Sequence, residues 1–167
     1  MLTLLTLVLI VVMAYSPENK EIREEIIINA STEEVWSVLT DLKSWKDWNP
    51  FIINSEGEAI EGNQIINSMK NGEKVYVFKP EVLKVIENRE FTWLGRLVMP
   101  GVFDGRHSYY LEEMDSGQVK LVQHETFSGI LSGMFLHKIG EETSANFKAM
   151  NEALKQRAET SLLTKTD

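Results

Sequence analysis

The sequence contains no cysteine, which excludes disulfide staples, a thiolate nucleophile and any cysteine-based metal site. Its three histidines, at positions 107, 124 and 137, lack the i, i+4 or clustered spacing of a zinc site, so no metal is expected. A Gly-x-Ser-x-Gly elbow, a phosphate-binding loop and a dinucleotide fingerprint are missing too, and no cofactor is expected. Basic residues are outnumbered: 17 Lys and Arg stand against 25 Asp and Glu, a net charge of −8. With no basic, aromatic-interleaved face, nucleic acid is not a partner on this reading. Charge of either sign is absent from the first 17 residues.

What fills that uncharged front is apolar. Leu2 to Tyr15 is nearly all Leu, Val, Ile and Met. As a helix it would reach about 21 Å at roughly 1.5 Å per residue, short of the roughly 30 Å hydrocarbon core of a bilayer. Three readings stand: a membrane anchor, a signal-like segment, or a stretch that packs on the domain or precedes the true start codon. The organisation expected is a leader at 1–16, a linker at 17–21, an acidic domain at 22–160 and a tail at 161–167. The protein is expected at a membrane through its leader, otherwise in the cytoplasm, or exported if the segment is a signal. Contact with a membrane through residues 2–15 goes with the first of these, and oligomeric state stays open.

In the domain, Ile26-Ile27-Ile28 reads as a strand. Ser31 followed by Glu34 makes a capping box, and Val35, Val38, Leu39 and Leu42 recur at helical spacing behind it. A shorter helical turn over 41–48 ends at Asn49-Pro50. From Phe51 the period becomes two. Strands are predicted over 51–60, 64–69, 74–85, 90–98, 103–113 and 118–127, with Asn71-Gly72 as a tight hairpin and Pro80 as an edge position or bulge. Phe147, Met150, Leu154 and Ala158 then form one stripe of a long helix. Strand, two short helices, six strands and a long helix predict an α+β fold: a curved seven-stranded antiparallel sheet wrapped around the C-terminal helix. Such curvature leaves room for an apolar ligand between sheet and helix.

The residues themselves carry a resemblance. Ala30-Ser31-Thr32-Glu33-Glu34-Val35-Trp36 leads to Trp45, Trp48, Asn49 and Pro50. Later come Phe78-Lys79-Pro80, Trp93-Leu94-Gly95-Arg96-Leu97, Pro100-Gly101-Val102-Phe103-Asp104-Gly105, Gln123 to Gly129 and Phe147 to Asn151. Over about 22–158 this resembles the START-like superfamily of helix-grip folds, also called SRPBCC, and within it the polyketide cyclase/dehydratase-like branch. The resemblance implies the helix-grip fold and spans lipid carriers, receptors and cyclases.

Alternation picks out the polar candidates. His107, Tyr109 and Leu111 share one strand face, and Leu121, Gln123, Glu125 and Phe127 share a face of its neighbour. The apolar members mark both faces as core, so His107, Tyr109, Gln123 and Glu125 project polar atoms inward, where they satisfy one another or await a ligand. Trp48, Phe51, Phe78, Trp93 and Phe103 are core or cavity lining. Phe147, Met150 and Asn151 are placed to face the sheet, the last two as a cavity roof. Arg96 is a candidate for a ligand carboxylate or a surface acid. The function expected first is binding of a hydrophobic small molecule, lipid-like or polycyclic. The alternatives are a cyclase- or dehydratase-type enzyme on a polyketide-like or aromatic substrate, with His107 and Glu125 as acid and base, and an interaction adaptor whose cavity is filled by side chains.

Overall fold

A computed structural model describes residues 20–97 and 99–163. The leader and residues 164–167 lie outside them, and so do the anchor and signal expectations. Among the described residues no helix is long and apolar enough to cross a membrane.

Strand β1 (Lys20–Ile28) is followed by α1 (Thr32–Thr40). The capping box is present: the Glu34 N–H donates to Ser31 Oγ at 3.3 Å, and the Ser31 N–H donates back to the Glu34 carboxylate at 3.1 Å. Two orphan helix-end donors are thereby satisfied, and α1 buries Val35, Trp36 and Leu39. A 3-10 turn (Leu42–Ser44) leads into the single turn of α2 (Trp45–Trp48). Asn49 then ends the helical region and redirects the chain, its Oδ1 accepting from the N–H groups of Phe51 and Ile52 at 3.1 and 2.9 Å.

Seven strands follow: β2 (Ile52–Glu56), β3 (Ile66–Asn71), β4 (Lys74–Phe78), β5 (Glu81–Ile86), β6 (Glu90–Leu97), β7 (Phe103–Glu113) and β8 (Val119–Ser128). The expected seven-stranded sheet is therefore corrected to eight strands in a five-stranded sheet, β1-β8-β7-β6-β5, and a three-stranded one, β2-β3-β4. The correction lies in the segment 74–85, expected to be one strand. Pro80 has no N–H to give a ladder, and pairing stops at Phe78 and resumes at Glu81. The break is stitched instead to the preceding loop, the Ile65 N–H donating to Pro80 O at 3.0 Å and the Val82 N–H to Asn63 O at 2.8 Å. The hairpin at Asn71-Gly72 closes on the Asn71–Lys74 pair.

The last element is α3 (Ser132–Leu163), 32 residues and so about 48 Å long. It starts well before Gly140, which sits inside it. Its stripe of Phe147, Met150, Leu154 and Ala158 is buried and packs on β1, β8 and α1. Polar clasps hold it along β1: Ser144 Oγ donates to Glu24 at 2.5 Å, and the Asn29 N–H donates to Glu159 at 2.8 Å. This is a helix-grip fold, with the curved sheet closed on one long helix.

Candidate functional site

The site is written across three neighbouring strands. Trp93 on β6 pairs with His107 on β7, and His107 pairs with Glu125 on β8; one step along, Tyr109 pairs with Gln123. Directly opposed side chains on one face stand about 5 Å apart, so this register puts four polar groups and an indole side by side. The His107 ring stacks on Trp93 at 4.6 Å and 11°, and Phe147 of α3 meets its other side edge-on at 4.8 Å.

Hydrogen bonding fixes the imidazole. The Gln123 amide nitrogen lies 3.1 Å from His107 Nε2 and 3.2 Å from the Tyr109 hydroxyl. The Gln123 side chain thus ties the imidazole to the phenol, while its Oε1 is buried with no partner among the described residues. The other ring nitrogen of His107, Nδ1, is 3.4 Å from Glu125 Oε2. The Tyr109 hydroxyl donates onward to Met150 Sδ at 3.2 Å. Burial holds the Tyr109 phenol well above its usual ionisation range near 10, and the negative charge of Glu125 adds to the effect.

Gly105 makes room for the carboxylate. A Cβ there would stand 2.5 Å from Glu125 Oε1, so only glycine lets Glu125 lie across β7 at this height. Beside it opens a cavity of about 370 Å³ between the strands, β4 and the first half of α3. Phe51, Phe78, Trp93, Phe103, His107, Tyr109, Glu125 and Phe147 line it, together with Arg96. Arg96 also pairs with Glu81 at 3.3 Å.

Four candidates are not brought to the cavity. Gln123 and Met150 sit beneath its inner wall, engaged with Tyr109 and with each other. Trp48 packs on Trp45 at 6.0 Å and donates its indole N–H to Ser44 Oγ at 3.2 Å. Asn151 is buried, and neither side-chain polar atom has a partner among the described residues. Met150 and Asn151 are thus not the roof, because α3 turns them further along the sheet. The roof is instead Ile139, Thr143, Asn146 and Phe147, the same helical stripe continued one and two turns earlier. That spacing is legible in the sequence once Gly140 is read as helical. Met69, Tyr76 and Val77, on the three-stranded sheet, complete the wall. His124 lies on the opposite face of β8, 3.0 Å from Glu21, and His137 is exposed.

Comparisons with known proteins follow this geometry. The family model described as polyketide cyclase / dehydrase and lipid transport matches residues 20–159. No curated protein matches the sequence. Among solved structures, the ZhuI aromatase/cyclase of a Streptomyces species superposes with a TM-score of 0.69 at 15% identity, covering 87% of this chain and 96% of that one. A hypothetical protein of Helicobacter pylori gives 0.71 at 14% identity, covering 86% and 90%. A START superfamily protein of Mycobacterium smegmatis gives 0.64 at 17%, covering 84% and 97%. At these identities the likeness is one of fold.

Proposed function

The chain belongs to the polyketide cyclase/dehydrase and lipid transport family, and from that premise we propose that it binds one hydrophobic, hydroxyl-bearing small molecule in the cavity between sheet and helix. Family membership supports a ligand-binding or cyclase-type function in general. The observation that carries the finer reading is the cavity's composition: an aromatic and aliphatic inner wall with the Glu125 carboxylate at its edge, backed by His107. A volume of about 370 Å³ lies at the small end of the roughly 300–1,000 Å³ typical of ligand sites. It suits a compact ring system rather than a diacyl lipid. The Glu125 carboxylate makes the polar end an acceptor, and a ligand O–H is its natural complement. The apolar leader, outside the described residues, is the proposed tether to a membrane, where such ligands partition.

A matched pair of probes tests this reading. 2-Naphthol is expected to bind about tenfold more tightly than naphthalene, the worth of a hydrogen bond to a charged acceptor. Glu125→Leu removes the difference while keeping naphthalene affinity. Failure of both probes to bind overturns the reading.

A second reading uses the same groups. Glu125 and His107 both line the cavity, 3.4 Å apart, so one carboxylate and one imidazole face the same ligand space, a base to take a proton from the substrate and an acid to give one back. This favours cyclase or dehydratase chemistry on a polyketide-like or aromatic substrate. Its mark is turnover of a poly-β-ketone that Glu125→Gln abolishes while naphthalene binding is kept; turnover that persists in Glu125→Gln rules it out.

A further inference from the structure

One end of the domain is apolar at its surface. Two loops meet there, residues 99–102 before β7 and residues 129–131 between β8 and α3. The Ile130 N–H donates to Gly101 O and the Leu131 N–H to Val102 O, both at 3.0 Å. At this joint Gly129, at φ +105, would place a Cβ 2.7 Å from the Val102 carbonyl, so the two loops are held as one unit. From it project Met99, Ile130 and Met134, which are 57%, 76% and 64% exposed, with Leu97 at 47% beside them. In sequence, residues 97–103 and 126–136 contain no charged side chain, although the domain around them is densely charged. The nearest carboxylate, Asp104, is engaged by the Gly101 N–H at 2.9 Å, and large apolar side chains that stay bare together mark an interaction face.

The chain's own course says what that face meets. Lys20 pairs with Phe127, and Leu97 pairs with Phe103, so the N-terminal segment joins the domain at this same end, beside Ser128 and Ile130. Residues 15–19, fully extended, span no more than about 18 Å. The uncharged apolar run of residues 2–14 therefore begins within that reach of the loops. A segment suited to lipid and a bare apolar face, at one end of an acidic protein, share one complement. We propose that this paired-loop face docks on a lipid bilayer. Met99, Ile130 and Met134 enter the interface, and the cavity mouth, which includes Leu97 and Phe103 flanking the first loop, opens at the membrane surface. The contact is apolar: with a net charge of −8, anionic lipid gives no added attraction, and zwitterionic lipid suffices. The docking face extends the tether reading from the leader to the folded domain and is independent of what the cavity holds.

The absence of cysteine makes the test direct. Met99→Cys, Ile130→Cys and, at the opposite end in the β7–β8 turn, Ser116→Cys are each introduced into the full chain and labelled with an environment-sensitive nitrobenzoxadiazole dye. Each is mixed with phosphatidylcholine vesicles, with and without brominated acyl chains. Blue-shifted emission quenched by bromine at 99 and 130, and not at 116, is the expected result. Ile130→Ser combined with Met134→Ser, both at exposed positions, lowers vesicle partitioning about tenfold. A vesicle-bound chain with no quenching at 99 and 130 overturns the proposal, because the leader alone then holds it. Failure to bind vesicles also overturns it, as does a concentration-dependent blue shift without lipid, which identifies a second copy as the occupant. Naphthol binding reports on the cavity and none of the labelled positions lines it, so loss of one reading leaves the other readout intact.

Discussion

On β7, His107, Ser108 and Tyr109 are at most 5% exposed, whereas on β4 Val75, Tyr76 and Val77 are each more than half exposed. By hydropathy alone the two strands would exchange places. What separates them is cover. β7 is the middle strand of five, with β6 and β8 on either side and α3 across its inner face. Its polar groups are tolerated there because they bond to one another: the Ser108 and Thr92 hydroxyls bond at 2.9 Å on one face, Thr92 donating on to Glu90 at 3.0 Å, and Gln123, His107 and Tyr109 interlock on the other. β4 is the last strand of three, paired only with β3, and it faces α3 only across the open cavity. Apolar sequence secures burial only where topology supplies a second layer, and on the proposed function the missing layer is the ligand's place.

The sharpest way to break the comparison is to remove an apolar group from each region. Phe91 on β6 is fully buried and packs edge-on against Trp93 at 5.0 Å. Phe91→Ala is expected to cost about 3–5 kcal/mol in urea unfolding. Val75→Thr on β4 should stay within about 0.5 kcal/mol. Comparable losses from both would mean that β4 is covered in solution.

Two glycines sharpen it at the next scale. A methyl at Gly129 meets the Val102 carbonyl carbon and oxygen, both backbone, at 2.7 Å, and the residue is at φ +105. Nothing there can yield cheaply, so Gly129→Ala should destabilise by about 1–3 kcal/mol. At Gly105 the obstructing atom is the far end of the Glu125 side chain, which can swing aside. Gly105→Ala is expected to leave the urea midpoint nearly unchanged and to erase the preference for 2-naphthol over naphthalene. A destabilised Gly105→Ala with the preference intact would show that the carboxylate is held rigidly and is not what the ligand reads.

Sequence patterning was a good guide to β7 and β8 because alternation needs only neighbours: Leu111, Leu121 and Phe127 declare the inner face, and His107, Tyr109, Gln123 and Glu125 follow by parity. The Ser31–Glu34 cap was legible for the same local reason. Depth was not. Gln123 shares a face with Glu125, yet it lies under the cavity wall while Glu125 reaches it, a difference set by where α3 crosses the sheet. Pro80 reads from sequence as an edge position or bulge, and β4 and β5 on either side of it are both edge strands; that the chain changes sheet there is not legible, because residues 63–65, which take over the bonding, are distant in sequence though near in space. The roof at Ile139, Thr143 and Asn146 lies outside the stripe that begins at Phe147, on a stretch where Gly140 lowers helix propensity and tertiary packing sustains the helix.

Tyr109 joins the buried side of the comparison to pH. In the fold its phenol stays neutral well above the usual value near 10, first through burial and then through Glu125. The unfolded chain ionises near 10. Stability from this group is therefore complete below about pH 10 and falls as pH rises toward the folded-state value, by about 1.4 kcal/mol per pH unit. Tyr109→Phe should cost about 1–2 kcal/mol at neutral pH by leaving a Gln123 N–H unpaired, and should flatten the alkaline slope relative to the parent chain. An unchanged slope between pH 10 and 11 would show that the phenol reaches solvent.

The smallest expected effect on stability falls on the exposed strand and says most about its purpose. Tyr76 lines the cavity while being about half exposed, so its ring can bury more apolar area against a ligand than it does in the empty fold. Tyr76→Ser should change the urea midpoint by less than about 0.5 kcal/mol. Naphthalene affinity should nonetheless fall about tenfold, since the ring's contribution appears only when the cavity is filled. A stability loss with unchanged affinity would reverse the assignment and make β4 part of the core. The expected pattern makes it a wall that the ligand completes.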